Sequence, residues 1–178
     1  MPARQRTRIE PYLERLFGYA ISLTGQRETA QDLLHEAVVR VLAARRIPDE
    51  ERAYRAWLFR IVHNLFIDSL HRRRTAVETA LADPEPVLDW PLLHQQEQSL
   101  INVLTVRAAL TRLSLAQREV LALVDIAGFT YSEVAAQLDI PLGTVMSRVS
   151  RAREALLAAI QHGAVTTSAP RTARRKEG

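Results

Sequence analysis

The chain has 178 residues, enough for one or two small domains, and a formal net charge of +4. It contains no cysteine, which excludes a disulfide framework, thiol catalysis and a thiolate metal site. No apolar run approaches the length of a membrane span, and the arginine-dotted start lacks the apolar centre of a signal peptide. We therefore expect a cytoplasmic protein without membrane insertion. Glycine is scarce and leucine, alanine, arginine and glutamate dominate, which favours an all-helical chain.

Charge divides the chain into three parts. Residues 1–74 carry 14 basic and 9 acidic side chains, and residues 107–178 carry 10 basic and 6 acidic ones. Between them, residues 75–106 carry 5 acidic side chains and no basic ones. This acidic part contains the runs Asp83-Pro84-Glu85-Pro86 and Trp90-Pro91, which interrupt any helix.

The charge pattern and the prolines predict two small helical domains and a connection between them. We place the domains at residues 1–75 and 107–162, joined by an acidic flexible linker over residues 76–106. Residues 163–178 are small, polar and basic, and are predicted to be disordered.

The first domain shows three helical patterns. Apolar residues from Leu13 to Ile21 form one stripe, which ends near Gly25. A second stripe runs from Ala30 to Leu42 with nearly perfect helical spacing, and its opposite face is polar. We expect both stripes to face the core of a helical bundle.

The third pattern, from about Glu51 to Arg73, is apolar on two faces. One stripe is formed by Tyr54, Trp57, Leu58, Ile61, Val62 and Leu65, and another by Phe59, His63, Phe66 and Leu70. Such a helix either is central in its bundle or offers one face to a partner. It ends in three consecutive arginines, a cluster that could meet phosphate.

The second domain contains a four-part helical unit between Ser114 and Arg153. Two capping boxes, Ser114 with Gln117 and Thr130 with Glu133, mark helix starts. The first helix is expected to continue through Ala127 and stop at Gly128. A short helix over 131–138, a three-residue turn and a longer helix from about Leu142 then follow.

The longer helix has an apolar face formed by Val145, Val149, Ala152 and Leu156, and its other side carries Thr144, Ser147, Arg148, Ser150 and Arg151. A short helix, a tight turn and a helix with outward hydroxyls and arginines are typical of a DNA-binding helix-turn-helix. The alternative is an ordinary helical hairpin with a solvated basic face.

Three segments together resemble a known family: DLLHEAVVRVL (32–42), RAWLFRIVHNLFIDSLHRRR (55–74) and QREVLALVDIAGFTYSEVAAQLDIPLGTVMSRVSRAR (117–153). In this order and spacing they are similar to the group IV, extracytoplasmic-function sigma factors of bacterial RNA polymerase, with region 2, a linker and region 4. The resemblance covers about residues 9–160. It implies an all-α protein that binds core polymerase and directs transcription initiation at particular promoters.

The resemblance also implies which residues of region 2 are functional. The family docks on the polymerase through the second helix, which suggests Asp32, Leu33, His35, Glu36 and Arg40; the alternative is an ordinary solvated face. The third helix and the adjoining loop capture the melted −10 element with a base taken out of the stack. The residues expected there are Arg60, His63, Asn64, Arg72, Arg73 and Arg74.

Region 4 of the family reads the −35 element in the major groove of duplex DNA. The resemblance points to Arg148 and Arg151 as base or phosphate donors, with Thr144 and Ser147 near the helix start. Arg118 and Tyr131 are expected to contact the DNA backbone. Many relatives have lysine where this chain has Met146, and methionine cannot neutralise phosphate.

Three alternative hypotheses are a sigma-like decoy, an enzyme and a plain helix-turn-helix repressor. A sigma-like decoy would bind an anti-sigma factor and no DNA, but it would be expected to lose the arginines kept here. An enzyme would need a chemical motif, and the chain has no HExxH, GxxxxGK[ST] or GxSxG sequence. A plain helix-turn-helix repressor leaves the aromatic third helix unexplained. We therefore expect a non-enzymatic sigma factor that needs no cofactor or metal, with promoter DNA, core polymerase and an anti-sigma factor as partners.

Overall fold

The computed structural model describes residues 7–77, 110 and 112–167; for 73–77 and 161–167 it describes only the helical backbone. All regular structure in these ranges is helical, and no strand occurs in them. The all-helical prediction is therefore confirmed. The predicted linker lies almost entirely outside the described residues.

Within residues 7–77, the N-terminal domain is built from three long helices. Helix α1 (Leu13–Thr24) follows a single 3-10 turn (Glu10–Tyr12) and ends at Gly25, whose φ of 72° is left-handed. The Gly25 N–H donates to the Ile21 carbonyl over 2.8 Å, which satisfies one of the last carbonyls of the helix. Helices α2 (Arg27–Ala43) and α3 (Glu51–Val77) pack on α1 and on each other.

Arg8 fixes the loop between α2 and α3. Its guanidinium donates to the carbonyls of Pro48 (2.7 Å) and Asp49 (2.8 Å), pairs with Glu51 at 3.2 Å, and lies 3.9 Å from the centroid of the Tyr54 ring. The loop is thus held against the start of α3 by an arginine about 40 residues earlier in the chain.

The C-terminal domain contains the predicted helix-turn-helix. Helix α4 (Leu115–Leu121) continues as a π-helix (Ala122–Ile126), followed by α5 (Tyr131–Leu138) and α6 (Leu142–Thr167). Both predicted capping boxes are present, at Ser114 with Gln117 and at Thr130 with Glu133. Gly128 (φ 73°) and Asp139 (φ 53°) adopt left-handed conformations at the two chain reversals.

Two predictions about this domain are corrected. The first helix is not regular through Ala127, because the Ala127 N–H bonds to the Ala122 carbonyl, five residues back, over 2.9 Å. The last helix extends to Thr167, so the chain from 163 to 167 is helical and not disordered as predicted. Helix α6 continues past Gly163 because a helix already anchored by buried residues can be extended at low cost.

The two domains share one buried core. Phe59 of α3 packs against Tyr19 of α1, with the ring centroids 5.4 Å apart, and against Phe129, which precedes α5, at 5.3 Å in an edge-to-face arrangement. All three rings are at most 3% exposed. The second apolar face of α3 is therefore covered partly by the C-terminal domain of the same chain.

Candidate nucleic-acid and polymerase interfaces

Helix α6 presents a polar, cationic surface next to a buried one. Val145, Val149 and Ala152 are at most 1% exposed and anchor the helix on the rest of the domain. Thr144, Ser147 and Arg148 are half-buried on the outer side, and Arg151 is exposed. The outward hydroxyls and guanidiniums predicted from the sequence therefore share one accessible side of the helix.

Two large apolar side chains lie at the start of the same helix. Leu142 is 47% exposed and Met146, one turn later, is 54% exposed. Both side chains are largely accessible to solvent, although the opposite side of the helix is anchored in the core by Val145 and Val149. From sequence, Met146 indicated only the loss of a positive charge, and nothing singled out Leu142.

The two residues expected to contact the DNA backbone have different surroundings. The Nε and Nη1 atoms of Arg118 are buried without a hydrogen-bond partner among the described residues, and burial lowers the pKa of this guanidinium. The Tyr131 hydroxyl accepts from Arg153 at 3.4 Å, and Arg153 pairs with Asp125 at 2.8 Å. Asp125 raises the pKa of Arg153, so this arginine stays charged.

Two of the residues expected at the −10 element contact the C-terminal domain. Arg60 is exposed and donates to the Ala136 carbonyl of α5 over 3.0 Å. His63 Nδ1 lies 2.6 Å from Glu119 Oε1 on α4. The same carboxylate oxygen accepts from the Tyr19 hydroxyl at 3.3 Å. Burial, with the Glu119 charge adding to it, raises the pKa of Tyr19 well above its usual range.

Asn64 and Arg72 have other surroundings. Asn64 is exposed on the adjacent side of α3, and Arg72 is exposed and donates from Nε to the Asp68 carbonyl at 3.4 Å. Arg73 and Arg74 are in the helix, but their side chains lie outside the described residues.

Glu133 joins the two domains while it caps α5. One carboxylate oxygen accepts from the Thr130 N–H at 2.7 Å, which closes the capping box. The other oxygen accepts from Arg52 Nε at 2.7 Å and from Arg55 Nη2 at 2.9 Å. Burial alone would raise the pKa of Glu133, but the hydrogen bonds from Thr130 and Arg52 and the charge of Arg55 outweigh it and lower the pKa to about 2.

We call the whole contact between the domains the domain seam. Its residues are Gly18, Tyr19, Arg52, Arg55, Phe59, Arg60 and His63 on one side and Glu119, Ile126, Gly128, Phe129, Glu133 and Ala136 on the other. Sequence reasoning missed the seam, because both glutamates resemble ordinary helix residues.

The outer face of α2 carries most of the residues expected to bind the polymerase. Asp32, His35, Glu36 and Arg40 are exposed, and Glu36 pairs with Arg40 at 2.9 Å. Leu33 is a correction: it is 6% exposed and packs in the core, since it belongs to the apolar stripe of α2. Val39, which no sequence pattern singled out, is 65% exposed and precedes Arg40.

No group of three or more potential metal ligands occurs within the described residues, and none of the helices described there is long and apolar enough to cross a membrane.

Comparisons with known families match both domains. The chain matches the family described as Sigma-70 region 2 over residues 8–76 and the one described as Sigma-70, region 4 over residues 104–156.

Curated relatives and solved structures agree with this match. The ECF RNA polymerase sigma factor EcfG of Rhodopseudomonas palustris (strain TIE-1) is 38% identical over 144 residues, which cover 80% of this chain and 77% of the relative. The ECF RNA polymerase sigma factor SigC of Mycobacterium tuberculosis (strain CDC 1551 / Oshkosh) is 34% identical over 131 residues, 73% of this chain and 69% of the relative.

Among solved structures, the sigma factor RpoE in complex with the anti-sigma factor NepR from Bartonella quintana is similar to this chain with a TM-score of 0.68 and 26% identity. The similarity covers 88% of this chain and 96% of that one. The structure of CnrH in complex with the cytosolic domain of CnrY gives a TM-score of 0.62 and 25% identity over 89% of this chain and 88% of that one.

Proposed function

Because the chain belongs to the extracytoplasmic-function sigma factors of bacterial RNA polymerase, we propose a division of promoter recognition among three of its surfaces. Helix α6 reads the −35 element, α3 captures the melted −10 element, and the outer face of α2 docks on core polymerase. The observation that carries the proposal is α6, which presents Thr144, Ser147, Arg148 and Arg151 on one accessible side of a doubly capped helix-turn-helix.

The −35 assignment follows from groove chemistry. An arginine guanidinium can donate two hydrogen bonds to the O6 and N7 atoms of guanine, and hydroxyls can contact bases or phosphates. Arg148 and Arg151 are one turn apart on α6, and neither forms an ion pair with another residue that the structure describes. In the part of the chain that the structure describes, no ion pair has to break before these guanidiniums bind DNA.

The −10 assignment places a base-capturing surface on α3. Single-stranded DNA is held by cations along its backbone and by pockets or aromatic rings for its bases. Arg60, His63, Asn64 and Arg72 lie along one stretch of α3, and Asn64 can both donate to and accept from a base edge. Arg73 and Arg74 directly follow Arg72 in the sequence and add two positive charges to this helix.

The polymerase assignment is supported by the exposure of the α2 face. Val39, which precedes Arg40 and is 65% exposed, adds an apolar side chain to this charged face. Glu36→Arg would reverse one charge and break an intrahelical ion pair, so we expect weaker binding to core polymerase in a pull-down. Glu28→Arg, at an exposed site at the start of α2, is the matched control. Equal binding by both variants would mean that this face of α2 is an ordinary solvated surface.

We further propose that the protein has no catalytic activity of its own, acts in the cytoplasm where RNA polymerase works, and is regulated by an anti-sigma factor. The two solved relatives described above were each determined as a complex, one of them with an anti-sigma factor, which supports the last point.

In vitro transcription tests the function as a whole. The full chain is added to core polymerase with a fragmented genomic library, and the transcripts that depend on it are sequenced. We expect a small set of start sites with a shared pair of elements upstream. Transcription that is unchanged by the protein, together with binding to an anti-sigma factor, would favour the decoy reading.

A further inference from the structure

Two adjacent arginines are exposed on the loop between α2 and α3. Arg45 and Arg46 belong to this loop, which spans residues 44–50 and leads directly into α3. Neither side chain forms a hydrogen bond, an ion pair or a ring contact with another residue that the structure describes. Two neighbouring guanidiniums without a carboxylate partner raise the local positive potential, which favours an anionic ligand such as a nucleic-acid phosphate. The residues expected at the −10 element all lie on α3, and these two arginines are not among them.

The backbone directly after the arginine pair is held at three consecutive residues. Ile47 packs against the hydrophobic core. The carbonyls of Pro48 and Asp49 accept from the two terminal nitrogens of Arg8, over 2.7 and 2.8 Å. An irregular loop has no hydrogen-bonded ladder of its own, so these contacts decide where the arginine pair is presented.

Arg8 is itself held by a network of buried and charged groups. Its guanidinium lies 3.9 Å from the centroid of the Tyr54 ring and pairs with Glu51 at 3.2 Å. The Tyr54 ring is 1% exposed and packs edge-on against Tyr12, whose hydroxyl donates to the same Glu51 carboxylate. The Arg8 side chain is 27% exposed, so most of it is occupied by these partners and by the loop.

The chemistry of these contacts requires arginine at position 8. A guanidinium is planar, so it can donate to two carbonyls and a carboxylate along fixed directions while it stacks on an aromatic ring. A lysine ammonium carries the same charge but has no planar fork. Arg8→Lys therefore keeps the net charge of the chain and loosens the loop, which allows the two effects to be separated by experiment.

We infer that Arg8 is a positioning residue for the loop between α2 and α3, and that this loop binds the phosphates of single-stranded −10 DNA through Arg45 and Arg46. The inference rests on the proposed function, which assigns the adjoining helix α3 to the same strand. Cations on a loop that is already ordered bind the strand at a lower cost in entropy than cations on a loop that must first become ordered. Arg8 raises the affinity through the loop and does not contact the DNA.

Binding of the holoenzyme to a single-stranded −10 oligonucleotide tests the role of the loop. The full chain is assembled with core polymerase, and the affinity is measured by fluorescence anisotropy at several salt concentrations. The probe is the non-template strand of a promoter identified by in vitro transcription. Replacing Arg45 and Arg46 together by alanine should weaken binding several-fold and reduce the salt slope by about 1.4, the value for two lost contacts with single-stranded phosphate. Unchanged affinity and slope would overturn the inference.

An oligonucleotide with a scrambled −10 sequence shows whether the loop contacts phosphate or bases. Phosphates carry no sequence information, so the loss caused by the two alanines should be the same on both oligonucleotides. A loss on the matched oligonucleotide alone would overturn the phosphate assignment. Arg15→Ala, at an exposed position of α1, is the control and should change neither affinity.

A double-mutant cycle tests whether Arg8 acts through the loop. Arg8→Lys should weaken oligonucleotide binding several-fold in the wild-type chain and should have no further effect in the chain that already lacks both loop arginines. Arg15→Lys makes the same charge-conserving change at an exposed site and should have no effect in either chain. A general destabilisation of the fold would weaken binding equally in both chains. Such an equal loss, or wild-type affinity in the Arg8→Lys variant, would overturn the positioning role.

A defect of the loop can be told apart from a failure of −10 binding as a whole. If the wild-type holoenzyme binds the −10 oligonucleotide no more tightly than core polymerase alone, the −10 assignment of the proposed function is wrong, and the role of the loop is wrong with it. If the wild type binds but the loop variants bind equally well, the −10 assignment of α3 stands and the loop has no part in it.

Discussion

Helices α3 and α6 both carry residues expected to bind DNA, but the structure leaves them in different states. On α6, Arg151 is exposed and Arg148 is half-buried, and neither forms an ion pair within the described residues. On α3, Arg60 and His63 bond to the other domain. The difference shows that residue type indicates what a surface can bind, while packing decides whether it is ready to bind. If the proposed assignments hold, Arg60 and His63 must leave these partners before they bind DNA.

The largest effect is expected on the available helix. Arg148→Ala and Arg151→Ala should each weaken binding to a −35 duplex by about 1–3 kcal/mol if the lost contact is a bidentate bond to a base. Binding measured on matched and mismatched duplexes would show the loss on the matched one alone. A phosphate contact would instead weaken both and reduce the salt slope by about one unit.

If neither arginine affects binding or transcription, α6 is not the reader of the −35 element. Arg15→Ala is a suitable control because it removes an exposed arginine of α1, which carries none of the residues expected to bind DNA.

A smaller effect is expected on the covered helix, at Asn64, which is exposed and is not a seam residue. Asn64→Ala should leave polymerase and −35 binding intact and lower open-complex formation by about tenfold or less, the worth of one or two hydrogen bonds. Permanganate reactivity of thymines near −10 would measure this. A premelted template should partly rescue the variant, since the cost of unstacking is already met. Equal reactivity in the variant and wild type would remove Asn64 from the −10 surface.

Local features of α6 and its neighbours were predictable from sequence, but the seam was not. The capping boxes at Ser114 and Thr130 involve residues three apart, and they fixed the helix starts correctly. The pairs of Glu133 with Arg55 and of Glu119 with His63 join residues 78 and 56 positions apart. The spacing of apolar residues along the chain predicts helices but gives no information on contacts between residues so far apart in sequence. The π-helical turn at Ala122–Ile126 was also not predicted, because it shifts the hydrogen-bond register of the backbone without changing the apolar stripe of the helix.

Acid should weaken the seam through Glu133. Its pKa is lowered in the folded protein from 4.5 to about 2, so the carboxylate stabilises the fold above pH 4.5 and loses this effect as the pH falls towards 2. Glu133→Gln can still close the capping box, but it removes the charge that holds Arg52 and Arg55. We expect it to lower the free energy of unfolding by about 1 kcal/mol at neutral pH. The difference in the free energy of unfolding between the variant and wild type should disappear as the pH falls towards 2. If the difference in unfolding free energy is still present at pH 2, the charge of Glu133 does not cause it.

The smallest effect is expected at Met146 and concerns base preference on the available helix. With Leu142 one turn earlier, Met146 forms an exposed apolar pair at the end of α6 that enters the major groove in a helix-turn-helix. The apolar group that the groove offers is the C5 methyl of thymine. Replacing each thymine of the −35 duplex in turn with deoxyuridine removes only that methyl, so one position should weaken binding about fourfold, the worth of a buried methyl group. Met146→Ala should abolish this difference between thymine and deoxyuridine, while Ser132→Ala, an exposed site on α5, should preserve it. If wild type binds every deoxyuridine duplex as well as the thymine duplex, Met146 contributes no base reading, and its exposure has another cause.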